Sequence, residues 1–295
     1  MTDLRSQALV ILRTALSNPS ATFRDGQWES IEHLIAHRSR LLVVQRTGWG
    51  KSVVYFIATR LLRDMNHGPT PLISPLLSLM RNQITMASRL GLQAATVNST
   101  NQADWVSVRG AIKRDEVDVL LVSPERLAND EFRETILIPL ASTVALFVVD
   151  EAHCISDWGH DFRPDYRRII RVLQALPPNV AVLATTATAN DRVVSDIRDQ
   201  LGPELMVVRG PLARSSLRLQ NLRLHSQAER MAWLAANLPT IPGSGIIYTL
   251  TIQDSERLAE WLQSRGIDAR AYHSGLANET KVKLEDDLVN NRVEA

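Results

Sequence analysis

Two hydrophobic periods alternate along this chain. Short, almost wholly apolar runs rich in Val, Ile and Leu fall at 41–45, 70–74, 93–97, 118–122, 144–149, 180–185 and 205–208, as expected of strands buried on both faces. Between them, apolar residues recur at spacings of three and four, as in Gly26–His37, Leu76–Leu90, Asp104–Arg114 and Asp191–Leu201, which predicts amphipathic helices. Strands alternating with helices imply a parallel sheet wrapped by helices on both faces. The expected fold class is α/β.

The alternation pauses at Arg209-Gly210-Pro211 and restarts at Leu217-Arg218-Leu219-Gln220-Asn221-Leu222, a half-buried strand pattern. A boundary there gives a first domain at 1–210 and a second at 211–295. In the second, the pattern predicts helices at Gln227–Leu238, Asp254–Arg265 and Asn278–Val289, strands at Ile246–Thr249 and Ala269–Tyr272, and a turn at Pro239–Gly245.

Two of the buried strands run into reactive residues. After Leu41–Val44 comes Gln45-Arg46-Thr47-Gly48-Trp49-Gly50-Lys51-Ser52, followed by a helical pattern from Val53 to Leu62. This is the strand, loop and helix order in which backbone N–H groups cradle phosphates, a lysine reaches the terminal oxygens, and a serine hydroxyl ligates Mg²⁺. Gln45 stands where the strict pattern has Gly, and Trp49 where small residues are commoner. The run 144–149 ends in Asp150-Glu151, at the strand end where open α/β sheets bind ligands. There Asp150 is expected to hold Mg²⁺ through water, and Glu151 to orient or deprotonate an attacking water. Alone, an acidic pair can merely end a strand; paired with a phosphate loop it reads as a metal-nucleotide site.

Just beyond lies Trp158-Gly159-His160-Asp161-Phe162-Arg163-Pro164. Trp158 and Phe162 either pack in a core or offer faces on which bases stack, and the Gly, His and Asp between them favour an exposed loop. Arg163 can pair with a phosphate or with an acidic group that senses ATP. Ser74-Pro75 and Ser123-Pro124 each follow an apolar strand and suit a helix start, and the same hydroxyls can donate to a phosphate backbone. Thr186 and Thr188 are either helix caps or linking residues. His153 and His160 lack partner ligands and suit hydrogen bonding better than metal binding.

Composition narrows the partners rather than choosing them. The 295 residues are 45% apolar and 22% charged with a net charge of +1, so any nucleic-acid groove is a local basic patch. The single cysteine, Cys154, excludes a disulfide framework within the chain and suits a reducing compartment. No run approaches about 18 apolar residues, and the N-terminus lacks a signal-peptide pattern, so a cytoplasmic location is expected.

From Phe23 to about Val289 the motifs resemble, in order, those of RecQ-like helicases of superfamily 2. The resemblance implies a RecA-like, P-loop NTPase sheet followed by a second RecA-like lobe, with ATP and Mg²⁺ as cofactors and single-stranded or fork-like DNA as partner. Phe23-Arg24-Asp25-Gly26-Gln27 is similar to the motif that reads adenine, which implicates Arg24 and Gln27. Thr47 to Ser52 resembles motif I, and Asp150-Glu151-Ala152-His153 resembles motif II. Ile73–Gln83, with Ser74, Pro75, Asn82 and Gln83, and Val122–Arg126, with Ser123, resemble strand-contacting motifs. Ala184–Ala189, with Thr186 and Thr188, resembles the motif linking hydrolysis to lobe movement. Ile246–Thr249 and Ala271–Leu276 look like second-lobe motifs. Residues 158–164 match the aromatic loop that sets RecQ-like enzymes apart, which implies roles for Trp158, Phe162 and Arg163 in gripping DNA.

The chain departs from the family pattern in that the last two second-lobe motifs, one supplying an arginine to the phosphates, do not appear. The second lobe is therefore expected to be incomplete, with ATP binding but feeble hydrolysis and with Leu258, Trp261 and Leu262 under-covered. Two readings follow: the motor portion of a 3′→5′ DNA helicase used in repair or recombination, or a nucleotide-gated single-strand-binding module without unwinding. An RNA-directed helicase is a third, which the aromatic loop disfavours.

Overall fold

Strict alternation of side chains along buried strands decides the architecture. In the computed structural model, residues 2–75, 77–97, 105–156, 164–177, 179–211 and 217–295 are described. The chain divides into two compact units, Met1–Ser216 and Leu217–Ala295.

The first unit is a seven-stranded parallel sheet in the order β3-β4-β2-β5-β6-β1-β7. Its strands are β1 Arg40–Val44, β2 Thr70–Ile73, β3 Ala94–Val97, β4 Val119–Val122, β5 Leu146–Val149, β6 Ala181–Thr186 and β7 Met206–Arg209, each within two residues of the expected run. Odd and even positions serve different cores. Leu41, Val43, Leu72, Val148 and Leu183 face one cluster, with α1 (Thr2–Ala15), α2 (Gln27–Ala36), α3 (Lys51–Asp64) and α4 (Leu77–Arg89) packed over it. Leu42, Val44, Ile73, Val149 and Ala184 face the other. That face is covered by α5 (Trp105–Lys113), by the short helices α6 (Asp130–Phe132) and α7 (Ile138–Ala141), and by α8 (Ile169–Ala175) and α9 (Asp191–Leu201). A sheet with both faces covered in this way is the expected α/β fold.

Helix ends are set by local chemistry. Asn190 caps α9 by accepting from the Val193 N–H, whereas α3 starts after Gly50 in a left-handed conformation without a side-chain cap, leaving its first N–H groups to other partners. Two elements differ from the sequence expectation. Helix α1, which buries Ala8, Leu12 and Ala15, was not anticipated, and between β4 and β5 the chain folds into short helical turns, including a π-helical one at Arg133–Leu137. Among the described residues no helix is long and apolar enough to cross a membrane.

The second unit holds α10 (Gln227–Asn237), α11 (Ile252–Ser264) and α12 (Asn278–Val289). Ser226 and Thr251 cap the first two through the Glu229 and Asp254 N–H groups. The strands expected at 217–222, 246–249 and 269–272 are not formed; these segments carry no paired ladder. The reason is the lack of strand partners: Gly245 donates to Glu294 O and Arg270 to Ala295 O, but no backbone bond joins 246–250 to another described segment. The expected under-covering also falls elsewhere. Leu262 is buried with Ile267 and Ala269, and Leu258 and Trp261 pack against them, while Leu219, Ile246, Tyr248, Leu250 and Val289 are among the apolar residues left exposed.

Candidate active site

The loop after β1 and the acid pair after β5 leave the same edge of the sheet with only β6 between their strands. The loop needs its glycines. Gly48 and Gly50 have φ of 82° and 96°, the left-handed region that side chains disfavour. A Cβ at Gly48 would meet nothing within 4 Å, so the loop is open on that side, whereas one at Gly50 would sit 2.7 Å from Gln27 Nε2. Lys51 and Ser52 begin α3, and Lys51 Nζ donates to the Gln45 carbonyl at 3.0 Å. Gln45 and Trp49, the two departures from the strict pattern, are buried, and Thr47 is exposed.

Arg24, just before α2, and Gln27, its first residue, brace this loop. Gln27 Oε1 accepts from the Arg24 N–H at 2.9 Å, and its Nε2 donates to Trp49 O at 2.8 Å. The Arg24 guanidinium donates to Gly48 O. Both residues implicated in base reading thus touch the phosphate loop directly.

Asp150 lies buried at 8% exposure, held by hydrogen bonds to both carboxylate oxygens and to its backbone. Its Oδ1 accepts from Thr185 Oγ1 at 2.6 Å and from the Glu151 N–H at 3.1 Å. Its Oδ2 accepts from Gln83 Nε2 at 3.1 Å, and its carbonyl accepts from the Tyr166 hydroxyl at 3.0 Å. Burial raises the carboxyl pKa above its ordinary value and Glu151 adds to this, while the Thr185 hydrogen bond and the Lys51 charge oppose it. Asp150 follows β5 and Lys51 follows the loop after β1 at the same sheet edge, which offers a metal-phosphate ligand a carboxylate and an ammonium.

Glu151 is half-buried and adopts φ 51° and ψ 47°, a conformation that costs a non-glycine residue about 1–3 kcal/mol and is tolerated where surroundings enforce it. Its Oε2 lies 3.2 Å from His153 Nδ1, which is also 3.0 Å from Thr186 Oγ1. Thr186 Oγ1 donates to Thr188 O, so the imidazole is assigned as the donor at Nδ1, shared between Glu151 and Thr186. The ends of β5 and β6 are thereby joined through side chains.

The remaining expected residues are placed as follows. Ser74 and Ser123 end β2 and β4 at the same sheet edge, and both hydroxyls are buried without a hydrogen-bond partner. Pro75 is buried and Asn82 exposed on α4. Gln83, expected to contact or couple to DNA, turns inward onto Asp150. Trp158, Phe162 and Arg163 lie outside the described residues. Three partners of the site were not singled out from sequence: Tyr55, Tyr166 and Thr185. Thr185 and Thr186 end a strand that is otherwise apolar, and β-branched threonine is so common in strands that Thr185 carries little signal of its own.

The donor set fits a magnesium-bound nucleotide. The Asp150 carboxylate and Ser52 hydroxyl are hard oxygen ligands of the kind Mg²⁺ takes, and the space at Gly48 leaves backbone N–H groups able to approach an anion. A glycine loop and an acid pair with its first member buried, at one edge of a parallel sheet, define a phosphate-loop nucleotide-binding domain. The chain belongs to the DEAD/DEAH box helicase family, whose model matches residues 24–197. It is 34% identical over 276 residues to the ATP-dependent DNA helicase RecQ of Bacillus subtilis, a match covering 92% of this chain and 45% of that protein. It is 33% identical to RecQ of Haemophilus influenzae, covering 97% of this chain and 45% of the relative. The chain thus spans under half the length of these relatives. In fold it resembles Saccharomyces cerevisiae Dbp5 bound to RNA and ADP BeF3, with a TM-score of 0.67 at 17% identity over 96% of this chain and 72% of that one. It also resembles Mycobacterium smegmatis helicase Lhr bound to single-stranded DNA and AMP-PNP, with a TM-score of 0.69 at 19% identity over 97% and 40%.

Proposed function

We propose that this chain is the motor portion of a RecQ-type, ATP-dependent 3′→5′ DNA helicase, binding ATP with Mg²⁺ and gripping single-stranded and fork-like DNA. The observation that carries the reading is the buried Asp150 carboxylate leaving the same sheet edge as the glycine loop that opens at Gly48 and ends in Lys51 and Ser52. Support also comes from the two RecQ relatives, each named an ATP-dependent DNA helicase.

In this reading the N–H groups of the loop and Lys51 gather the phosphates, and Gln27 and Arg24 read the adenine. Asp150 and Ser52 would hold the magnesium ion, which when bound neutralises phosphate charge. Glu151 takes a proton from, or orients, the attacking water, and the His153–Thr186–Thr188 chain passes its position to the end of β6. Single-stranded DNA runs along the sheet edge past Ser74 and Ser123, with bases on Trp158 and Phe162 and a phosphate on Arg163.

Fluorescence anisotropy of a labelled single strand tests this. The account expects DNA to be preferred over RNA of the same sequence, an affinity that changes with a non-hydrolysable ATP analogue and Mg²⁺, and a loss of about 1–3 kcal/mol for Trp158→Ala, the worth of one stacked base. Equal binding of RNA and DNA with a neutral Trp158→Ala would overturn it.

A further inference from the structure

We infer that Gln83 is a positioning residue for the metal-binding carboxylate of Asp150, itself held in register by Tyr55. This rests on the reading of Asp150 as a magnesium ligand. The Gln83 side chain is 6% exposed, and its Nε2 lies 3.1 Å from both Asp150 Oδ2 and the Tyr55 hydroxyl. An amide nitrogen has two N–H groups and no acceptor, so both are spent, one on each partner.

The geometry fixes the carboxylate plane. Asp150 Oδ1 has two donors of its own, Thr185 and the Glu151 N–H. Without Gln83 the carboxylate would be gripped at one oxygen and free to swing about it. Tyr55 stops the amide from following, because its ring is fully buried on α3. Its hydroxyl oxygen accepts the second Gln83 N–H at 3.1 Å.

Packing alone does not account for a glutamine here. On α4 the neighbouring buried positions are Met80 and Ala87, with Leu90 just past its end, a face that an apolar residue would continue. The Gln83 carbonyl oxygen is buried without a partner, a cost an apolar residue would avoid. The donor on Asp150 is what that cost supports. Because α4 begins just past Ser74-Pro75, any shift of α4 moves this donor, which ties the metal ligand to the strand-contacting edge.

The test is magnesium titration of a fluorescent ATP analogue on the full chain, its Gln83→Leu variant and its Tyr55→Phe variant. Outer partners of metal ligands typically set metal affinity by about 10–100-fold. Gln83→Leu should therefore need about tenfold more Mg²⁺ for half-maximal enhancement of nucleotide binding, with affinity in EDTA unchanged, and Tyr55→Phe should shift the same way by less. A structural role alone would weaken binding equally with and without metal, and that outcome, like an unchanged magnesium midpoint in both variants, overturns the inference. Should Gln83→Leu show no cooperative melting, Tyr55→Phe decides by the same criterion. A wild type that gains nothing from Mg²⁺ refutes the metal assignment of Asp150 itself, and is told apart by that wild-type response.

Discussion

Alanine at Gly48 and at Gly50 makes the same chemical change two positions apart, with different expected costs. Both glycines are left-handed, so each substitution incurs a backbone strain of about 1–2 kcal/mol, offset by about 0.4–1 kcal/mol from a less flexible unfolded chain. At Gly48 nothing lies within 4 Å of the new Cβ, so Gly48→Ala costs about 1 kcal/mol. At Gly50 the Cβ falls 2.7 Å from Gln27 Nε2, which must leave Trp49 O. Removing a hydrogen bond and stranding a buried amide adds about 1–3 kcal/mol. Urea denaturation of Gly48→Ala, Gly50→Ala and the pair Gln27→Ala and Gln27→Ala/Gly50→Ala measures the difference. The excess cost at Gly50 should vanish in the Gln27→Ala background. Equal losses at the two glycines, or an excess that survives Gln27→Ala, would refute the claim that Gln27 braces the loop.

Two titrating carboxyls predict opposite pH slopes. Burial raises the Asp150 pKa above its unfolded value, so folding is penalised increasingly as pH rises from the ordinary carboxylate range through the raised value. Thr185→Val removes the opposing hydrogen bond and should cost about 1.5–3 kcal/mol at neutral pH in EDTA, shrinking in acid; a pH-independent loss contradicts this. In the second unit burial pulls Asp287 upward, but hydrogen bonds from Arg292 and Arg270, each at 2.8 Å, outweigh it and hold the carboxyl below its ordinary value. Its contribution is therefore present above the unfolded pKa and lost as pH falls through the folded one. Limited proteolysis should cut residues 217–295 faster in acid, and Asp287→Asn should abolish that pH dependence; an unaltered profile would contradict it.

What the sequence made legible followed from burial on both faces. Runs such as Leu41–Val44 and Leu146–Val149 can hardly be anything but central parallel strands, and their C-terminal ends located the loop and the acid pair, each of which gave the other its meaning. Half-exposed strands were less secure. The pattern at 246–249 reads as a strand, but a strand exists only through its neighbours, and none is paired there. Helix α1 was missed because Ala8-Leu9-Val10-Ile11-Leu12 is one short continuous apolar run, which masks the helical spacing of the buried Ala8, Leu12 and Ala15. At the site, the nucleophile-handling residues sat in contiguous motifs, whereas their supports came from distant positions. Tyr55 looks like one more core residue of α3, and Thr185 like a β-branched strand residue. Gln83 had a signal, since it falls on the apolar face with Met80 and Ala87, and a polar residue on such a face points inward to a partner.

Single-turnover ATP hydrolysis, with protein in excess and with or without single-stranded DNA, reads the central claim even if turnover is slow. The account predicts that DNA accelerates ADP formation and that Glu151→Gln abolishes it while still binding ATP with Mg²⁺. Hydrolysis indifferent to DNA, or undiminished in Glu151→Gln, would contradict it.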